Sequence, residues 1–175
     1  GKGALRDVPS VDRMKLAYGP AVTRAMQIAG IATLKLESPL EEILITVAQA
    51  MNKRVQDVVV MMLDRPRHKE MVEEIRRVGA SLRMISDGDI AAAIGPAIAE
   101  SGIDLYLGIG GSPEAVLAAA ASKCLGGDMQ CRMWARDEKE RAQLIAEGNE
   151  KGNGPVLLSD QPRKGENSLL CAHGG

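Results

Sequence analysis

The sequence predicts an α/β fold, a layered sandwich built on a mostly parallel sheet. Three observations carry this. Short apolar runs of strand type at 58–63, 81–85 and 105–109 alternate with helical stretches that are apolar on one face. The connections between them are a few residues long, and strand, helix, strand in that order forms right-handed βαβ units. The run at 58–63, VVVMML, is continuously apolar, as a strand covered on both faces is. At 175 residues and 45% apolar composition, the chain suits one domain with a sizeable core.

In chain order, residues 1–20 open with glycine, proline and charge, and 13–18 (RMKLAY) alternates as a strand. Residues 21–32 are weakly patterned, and 33–36 read as a short strand. Ser38 then caps a helix, with Pro39 at its first position and Glu41 and Glu42 at its positive end. Leu40, Ile43, Leu44, Val47 and Ala50 form its inner face. The strand at 58–63 precedes a helix at 66–78 that Gly79 stops. The strand at 81–85 precedes a helix at 88–101 that Pro96 kinks or shortens.

Residues 104–127 organise the rest. Leu105, Leu107 and Ile109 make a strand, and Gly110 and Gly111 free the backbone for a tight turn. Ser112 caps the next helix, Pro113 fits its first position, and an alanine-rich run carries it to Gly126 and Gly127. A helix N-terminus aimed out of a strand end, with bare backbone before it and Glu114 beside it, suits an anion, a metal ion, or both. Residues 129–134 read as a strand, 137–147 as a helix capped by Asp137, 160–167 as loose, and 155–158 and 168–172 as short strands.

Composition excludes several classes of function. Aromatic residues make up 2% with no Phe, which leaves few stacking platforms for nucleic acid. A formal net charge of −1 gives no bulk attraction to nucleic acid or anionic lipid. The absence of a long apolar stretch argues against a membrane partner. Cys124, Cys131 and Cys171 are odd in number and without CxxC spacing. They read as small core residues in a reducing cytoplasm. GxSxG, HExxH and Walker-type spacings do not occur.

Three βα turns carry the candidate chemistry: 64–68 (DRPRH), 86–89 (SDGD) and 108–114 (GIGGSPE). In a parallel sheet all three leave the carboxyl edge, where open α/β sheets bind ligands. Taken singly, each residue has an ordinary explanation: Asp87 as a helix cap, Asp89 and Glu114 as first-turn acids, Arg65 and Arg67 as solvated charge, His68 as an exposed or satisfied side chain. Their convergence favours a phosphate site, because arginines and helix N-termini suit phosphate and carboxylates suit Mg²⁺ or Mn²⁺.

LDRPRH (63–68), ISDGD (85–89) with AAAI (91–94), GIGGSPEAVLAAA (108–120) and KCLGGDMQ (123–130) together resemble class II fructose-1,6-bisphosphatase, including its bifunctional sedoheptulose-bisphosphatase members. GKGAL (1–5) and KLAYGP (15–20) resemble it too, so the likeness runs through nearly the whole chain in the family's order. The resemblance implies the sugar-phosphatase fold of the lithium-sensitive phosphatase superfamily. It implies metal-dependent hydrolysis of the 1-phosphate of fructose 1,6-bisphosphate, with Mg²⁺ or Mn²⁺, in carbohydrate metabolism and in the cytoplasm. By motif, Glu114 matches a metal ligand. Arg65, Pro66 and Arg67 match a substrate-phosphate segment, Asp87, Gly88 and Asp89 a sugar-contacting segment, and Gly111 a substrate-contacting glycine.

The chain also departs from the family pattern. The family's acidic GEGE-type and DP-x-(D/E)-G-T segments do not occur here, and a substrate-contacting Tyr position holds Asp12. The expectation is therefore a single domain, residues 1–175, corresponding to the family's C-terminal, sugar-phosphate-binding part. It holds no catalytic residue of its own. Its partners are a sugar bisphosphate and either further copies of itself or a missing N-terminal half. A non-catalytic sugar-phosphate-binding domain or a degenerate remnant is the alternative.

Overall fold

The structure, a computed structural model, describes residues 11–28 and 34–147, together with the backbone of two short strands at 157–158 and 169–170. The strands are β1 (Asp12–Tyr18), β2 (Val59–Leu63), β3 (Ser81–Ile85), β4 (Leu105–Gly111), β5 (Asp128–Ala135), β6 (Leu157–Leu158) and β7 (Leu169–Leu170). The helices are α1 (Pro20–Gln27), α2 (Leu40–Ala50), α3 (Lys69–Val78), α4 (Asp89–Ile94), α5 (Ser112–Cys124) and α6 (Glu138–Ala146). Residues 160–167, expected to be loose, lie outside the described residues, as does Cys171.

The strands join one sheet in the order β3-β2-β4-β1-β5-β6, with β7 on β5. Helices cover both faces. Leu105, Leu107 and Ile109 of β4 join Met14, Leu16 and Tyr18 of β1 in a core closed by α1, α2 and α3. On the other face Tyr106, Ala17, Met129 and Cys131 meet the small side chains of α4 and α5. Alternation along each strand divides the residues between the two cores. The alanines of α5, Ala115, Ala118 and Ala119, let that helix lie close on the sheet.

The sheet is mixed. β2 pairs in parallel with β3 and β4, and β5 with β6, but β1 sits in the centre, antiparallel to both β4 and β5. Two helices, α1 and α2, lie between β1 and β2, and a connection of that length returns the chain in either direction. The alternation of 13–18 carries no information about strand direction. The consequence for the site is direct: the start of β1, Asp12 and Arg13, lies opposite Gly111 and Gly110 at the carboxyl edge of the parallel strands.

Other corrections are local. Residues 34–36 form no strand; the side-chain amide of Gln130 takes the place of a neighbouring strand, accepting from Leu36 N–H at 2.8 Å and donating to the Leu34 carbonyl at 2.8 Å. Ser38 does not cap α2, which starts from Pro39. The expected helix at 88–101 ends at Ile94 and continues as short 3-10 turns around Pro96, which lacks the N–H that an α-helix needs. The helix expected from 66 begins with a 3-10 turn, Pro66–His68. Cys131 is buried, whereas Cys124 is exposed.

Candidate functional site

β2 and β4 pair only at Val60 and Met61. Beyond that point the DRPRH segment crosses between them. His68 is fully buried there; its Nδ1 lies 2.6 Å from the Leu63 carbonyl, and its Nε2 accepts from Ile109 N–H at 2.9 Å. Arg67 Nε donates to the carbonyl of the same Ile109 at 2.9 Å. Ile109 thus has both backbone groups satisfied by side chains where a neighbouring strand has departed. The accepting Nε2 fixes the neutral tautomer, with the proton on Nδ1. Burial pushes the His68 pKa below its ordinary value, Arg67 adds to this, and the Leu63 carbonyl opposes it.

Arg65 lies at the mouth of the same gap. Its Nη1 donates to the carbonyls of Asp64 at 2.9 Å and Ser86 at 2.8 Å, tying the first βα turn to the second. Pro66 starts the 3-10 turn that aims His68 inward and leaves Arg67 exposed. In the second turn, Asp87 is exposed and its Oδ1 accepts from Gly88 N–H at 2.8 Å. Asp87 is not the cap of α4: Gly88 is, at φ +96°, a left-handed conformation that glycine adopts without strain.

Asp89 is neither a free surface acid nor a mere first-turn charge. Lys15 Nζ, on the buried face of β1, donates to its Oδ2, and Tyr106 OH donates to its Oδ1. Lys15 is 0% exposed and the Asp89 side chain 15%. Burial first, then the charge of Asp89, raises the Tyr106 pKa far enough that the phenol remains a donor. Lys15 and Tyr106 were missed by the sequence reading. The alternation of 13–18 held a signal for Lys15, since it sets Arg13, Lys15 and Ala17 on one face.

Gly110 and Gly111 form no turn: both are in β4, paired with Arg13 and Asp12. They are small because of what lies over them. A Cβ on Gly110 would lie 2.9 Å from Asp89 Oδ2, and one on Gly111 would lie 2.2 Å from Glu114 Oε2. Ser112 is the first residue of α5, not its cap. Its Oγ accepts from Arg13 Nε at 2.8 Å and donates to the Val11 carbonyl at 2.6 Å. The three predicted turns therefore meet at one edge, joined by the start of β1.

Among the described residues, no three acidic, His or Cys side chains gather as metal ligands. Glu114 offers one carboxylate, and an Mg²⁺ ion held by one or two carboxylates completes its six oxygens from water and substrate phosphate.

The family model described as bacterial fructose-1,6-bisphosphatase, glpX-encoded, matches residues 1–174. The chain belongs to this family. Among curated bisphosphatases of this type, it is 40% identical to the D-fructose 1,6-bisphosphatase class 2/sedoheptulose 1,7-bisphosphatase of Synechocystis sp., over 90% of the chain and 43% of that protein. It is 40% identical to the enzyme of that name from Microcystis aeruginosa, over 85% of the chain and 41% of that protein. For the Synechococcus elongatus enzyme the identity is 38%, over the same shares. The chain thus spans about two-fifths of the length of the bisphosphatases it matches. No helix among its described residues is long and apolar enough to cross a membrane.

Proposed function

We propose that the chain is the sugar-phosphate-gripping part of a class 2 fructose-1,6-bisphosphatase, acting on fructose 1,6-bisphosphate and on its seven-carbon homologue. The observation that carries this reading is the meeting of DRPRH, SDGD and GIGGSPE at one sheet edge, where the carboxylates of Asp89 and Glu114 lie over Gly110 and Gly111. Arg65 and Arg67 hold the phosphate distal to the scissile bond through guanidinium groups whose remaining N–H donors suit phosphate oxygens. Asp87 and Asp89 accept hydrogen bonds from sugar hydroxyls, and Gly88 and Gly111 allow the sugar to approach the backbone. Each Asp89 oxygen has one protein donor and keeps acceptor capacity for one more.

In this reading Glu114 supplies one carboxylate to a centre of Mg²⁺ or Mn²⁺, and the other ligands come from outside the described residues. What this chain contributes to hydrolysis of the 1-phosphate is position: it fixes the sugar and distal phosphate so that the scissile bond falls near Glu114. Titration calorimetry with fructose 6-phosphate tests the reading. Binding that weakens at least tenfold in Arg65→Ala is the expected result, and absence of heat from the unsubstituted chain overturns it. Phosphate release from fructose 1,6-bisphosphate with Mn²⁺ is expected to be undetectable for these 175 residues alone.

A second reading, a non-catalytic sugar-phosphate-binding domain, is favoured by the lack of a metal-ligand group among the described residues. Calorimetry with and without Mn²⁺ separates the two. Binding indifferent to Mn²⁺ supports the second reading, and binding strengthened by Mn²⁺ supports the first.

A further inference from the structure

Tyr106, Gly108 and Gly110 share one face of β4, since every second residue of a strand points the same way. The phenol lies along that face. A Cβ on Gly108 would lie 2.7 Å from the Tyr106 hydroxyl oxygen, and one on Gly110 would lie 2.9 Å from Asp89 Oδ2 and 3.2 Å from Lys15 Nζ. Lys15 arrives at the same place from β1, where it pairs with Gly108. Two glycines are thus kept bare under one constellation, in which Lys15 Nζ donates to one oxygen of Asp89 and the Tyr106 hydroxyl to the other. Folding alone does not require it, because apolar side chains of similar volume often match a buried ion pair in stability. An aspartate left to itself turns broadly about its last torsion. Two donors from two strands remove that freedom. Lys15 and Tyr106 are both 0% exposed, whereas 15% of the Asp89 side chain stays open to solvent. The donors come from the sheet, and the open part of the carboxylate faces away from it.

We propose that Lys15 and Tyr106 are positioning residues for ligand recognition: they lock the Asp89 carboxylate, one donor to each oxygen, so that it accepts from two neighbouring hydroxyls of the ligand. Neither residue touches the ligand itself. The lock favours a polyol over a bare phosphate, since hydroxyls donate to a carboxylate and a phosphate carries charge of the same sign. The hydroxyl-bearing ligand rests on the proposed function; the lock does not.

The lock is tested first without ligand. The Tyr106 hydroxyl proton is expected as a slowly exchanging NMR signal in the full chain, and Tyr106→Phe assigns it, because the chain has 2 tyrosines. Calorimetry then compares fructose 6-phosphate with inorganic phosphate on the parent, Tyr106→Phe and Lys15→Met. Both variants are expected to lose about fivefold or more in affinity for fructose 6-phosphate, as loss of a well-placed hydrogen bond does. Both should respond to inorganic phosphate as the parent does, which a merely structural defect would not allow. Tyr106→Phe removes a single oxygen and keeps the test decisive if Lys15→Met fails to fold. An equal loss for both ligands, or no loss, overturns the positioning role, and so does a Tyr106 hydroxyl proton in fast exchange. A slowly exchanging proton with no heat of fructose 6-phosphate in the parent upholds the lock and overturns the proposed function.

Discussion

At the residue scale, the site is held by side chains that replace backbone partners, and His68 is the clearest case. Its depressed pKa means that the folded protein disfavours the protonated ring. A protonated Nε2 would face the Ile109 N–H, donor against donor. The stability that neutral His68 contributes is therefore complete above the unfolded pKa of about 6.5 and is lost as pH falls below it. Urea titrations at pH 7.5 and 5.5 should show a larger loss for the parent than for His68→Gln, so that the two converge in acid. The glycines give a second prediction. A Cβ on Gly19 would lie 2.0 Å from the Pro96 carbonyl oxygen, a backbone atom that cannot swing aside. Gly19→Ala should cost about 1–3 kcal/mol in urea unfolding, as overpacking does. Gly111→Ala meets only the movable end of Glu114 and should cost less than half of that. The sequence left His68 open between an exposed and a satisfied side chain, and did not show it as a bridge between strands, because nothing in DRPRH shows that β2 and β4 part there.

At the element scale, the capping signals separate by geometry. Ser38, Asp87, Ser112 and Asp137 all read as caps, and of these Asp137 acts as one, its Oδ1 accepting from Glu140 N–H at 2.8 Å. Ser112 is taken by Arg13 and Val11, Asp87 by its neighbour Gly88, and Ser38 stands one residue too early. Asp137→Ala should destabilise the protein by about 1 kcal/mol and Ser38→Ala by nearly nothing, checked by thermal unfolding. The strand at 81–85 was legible to the residue, because Gly79 and Ala80 bound it on one side and the charged SDGD on the other. The glycine pair was misread because a glycine kept small by an overlying carboxylate and a glycine needed for a turn have the same letter.

For the whole molecule, β1 is the join. Among the described strands it alone connects the β3-β2-β4 block to β5 and its neighbours. Leu16, at its centre, is 0% exposed in the larger core. Leu16→Ala should cost about 2–5 kcal/mol, and β1 amides should be among the slowest to exchange with deuterium. The layered α/β architecture followed from local apolar runs. The central antiparallel strand did not, because strand direction is decided by long-range pairing that no local pattern encodes. Arg13 and Lys15 reached the site through that pairing, which is why a reading confined to βα turns omitted them.

The tethered arginines have a consequence for how a ligand is received. Arg65 is tied by Nη1 to two carbonyls and Arg67 by Nε to one. A free arginine gives up about 2 kcal/mol of rotamer entropy when it is fixed. Here much of that ordering has taken place at folding, before a ligand of the proposed kind arrives. Recognition then discriminates by shape, since a guanidinium held in place cannot follow a misplaced anion. Lengthening the reach to the phosphate by one bond should weaken binding more than removal of one formal charge elsewhere on the rim.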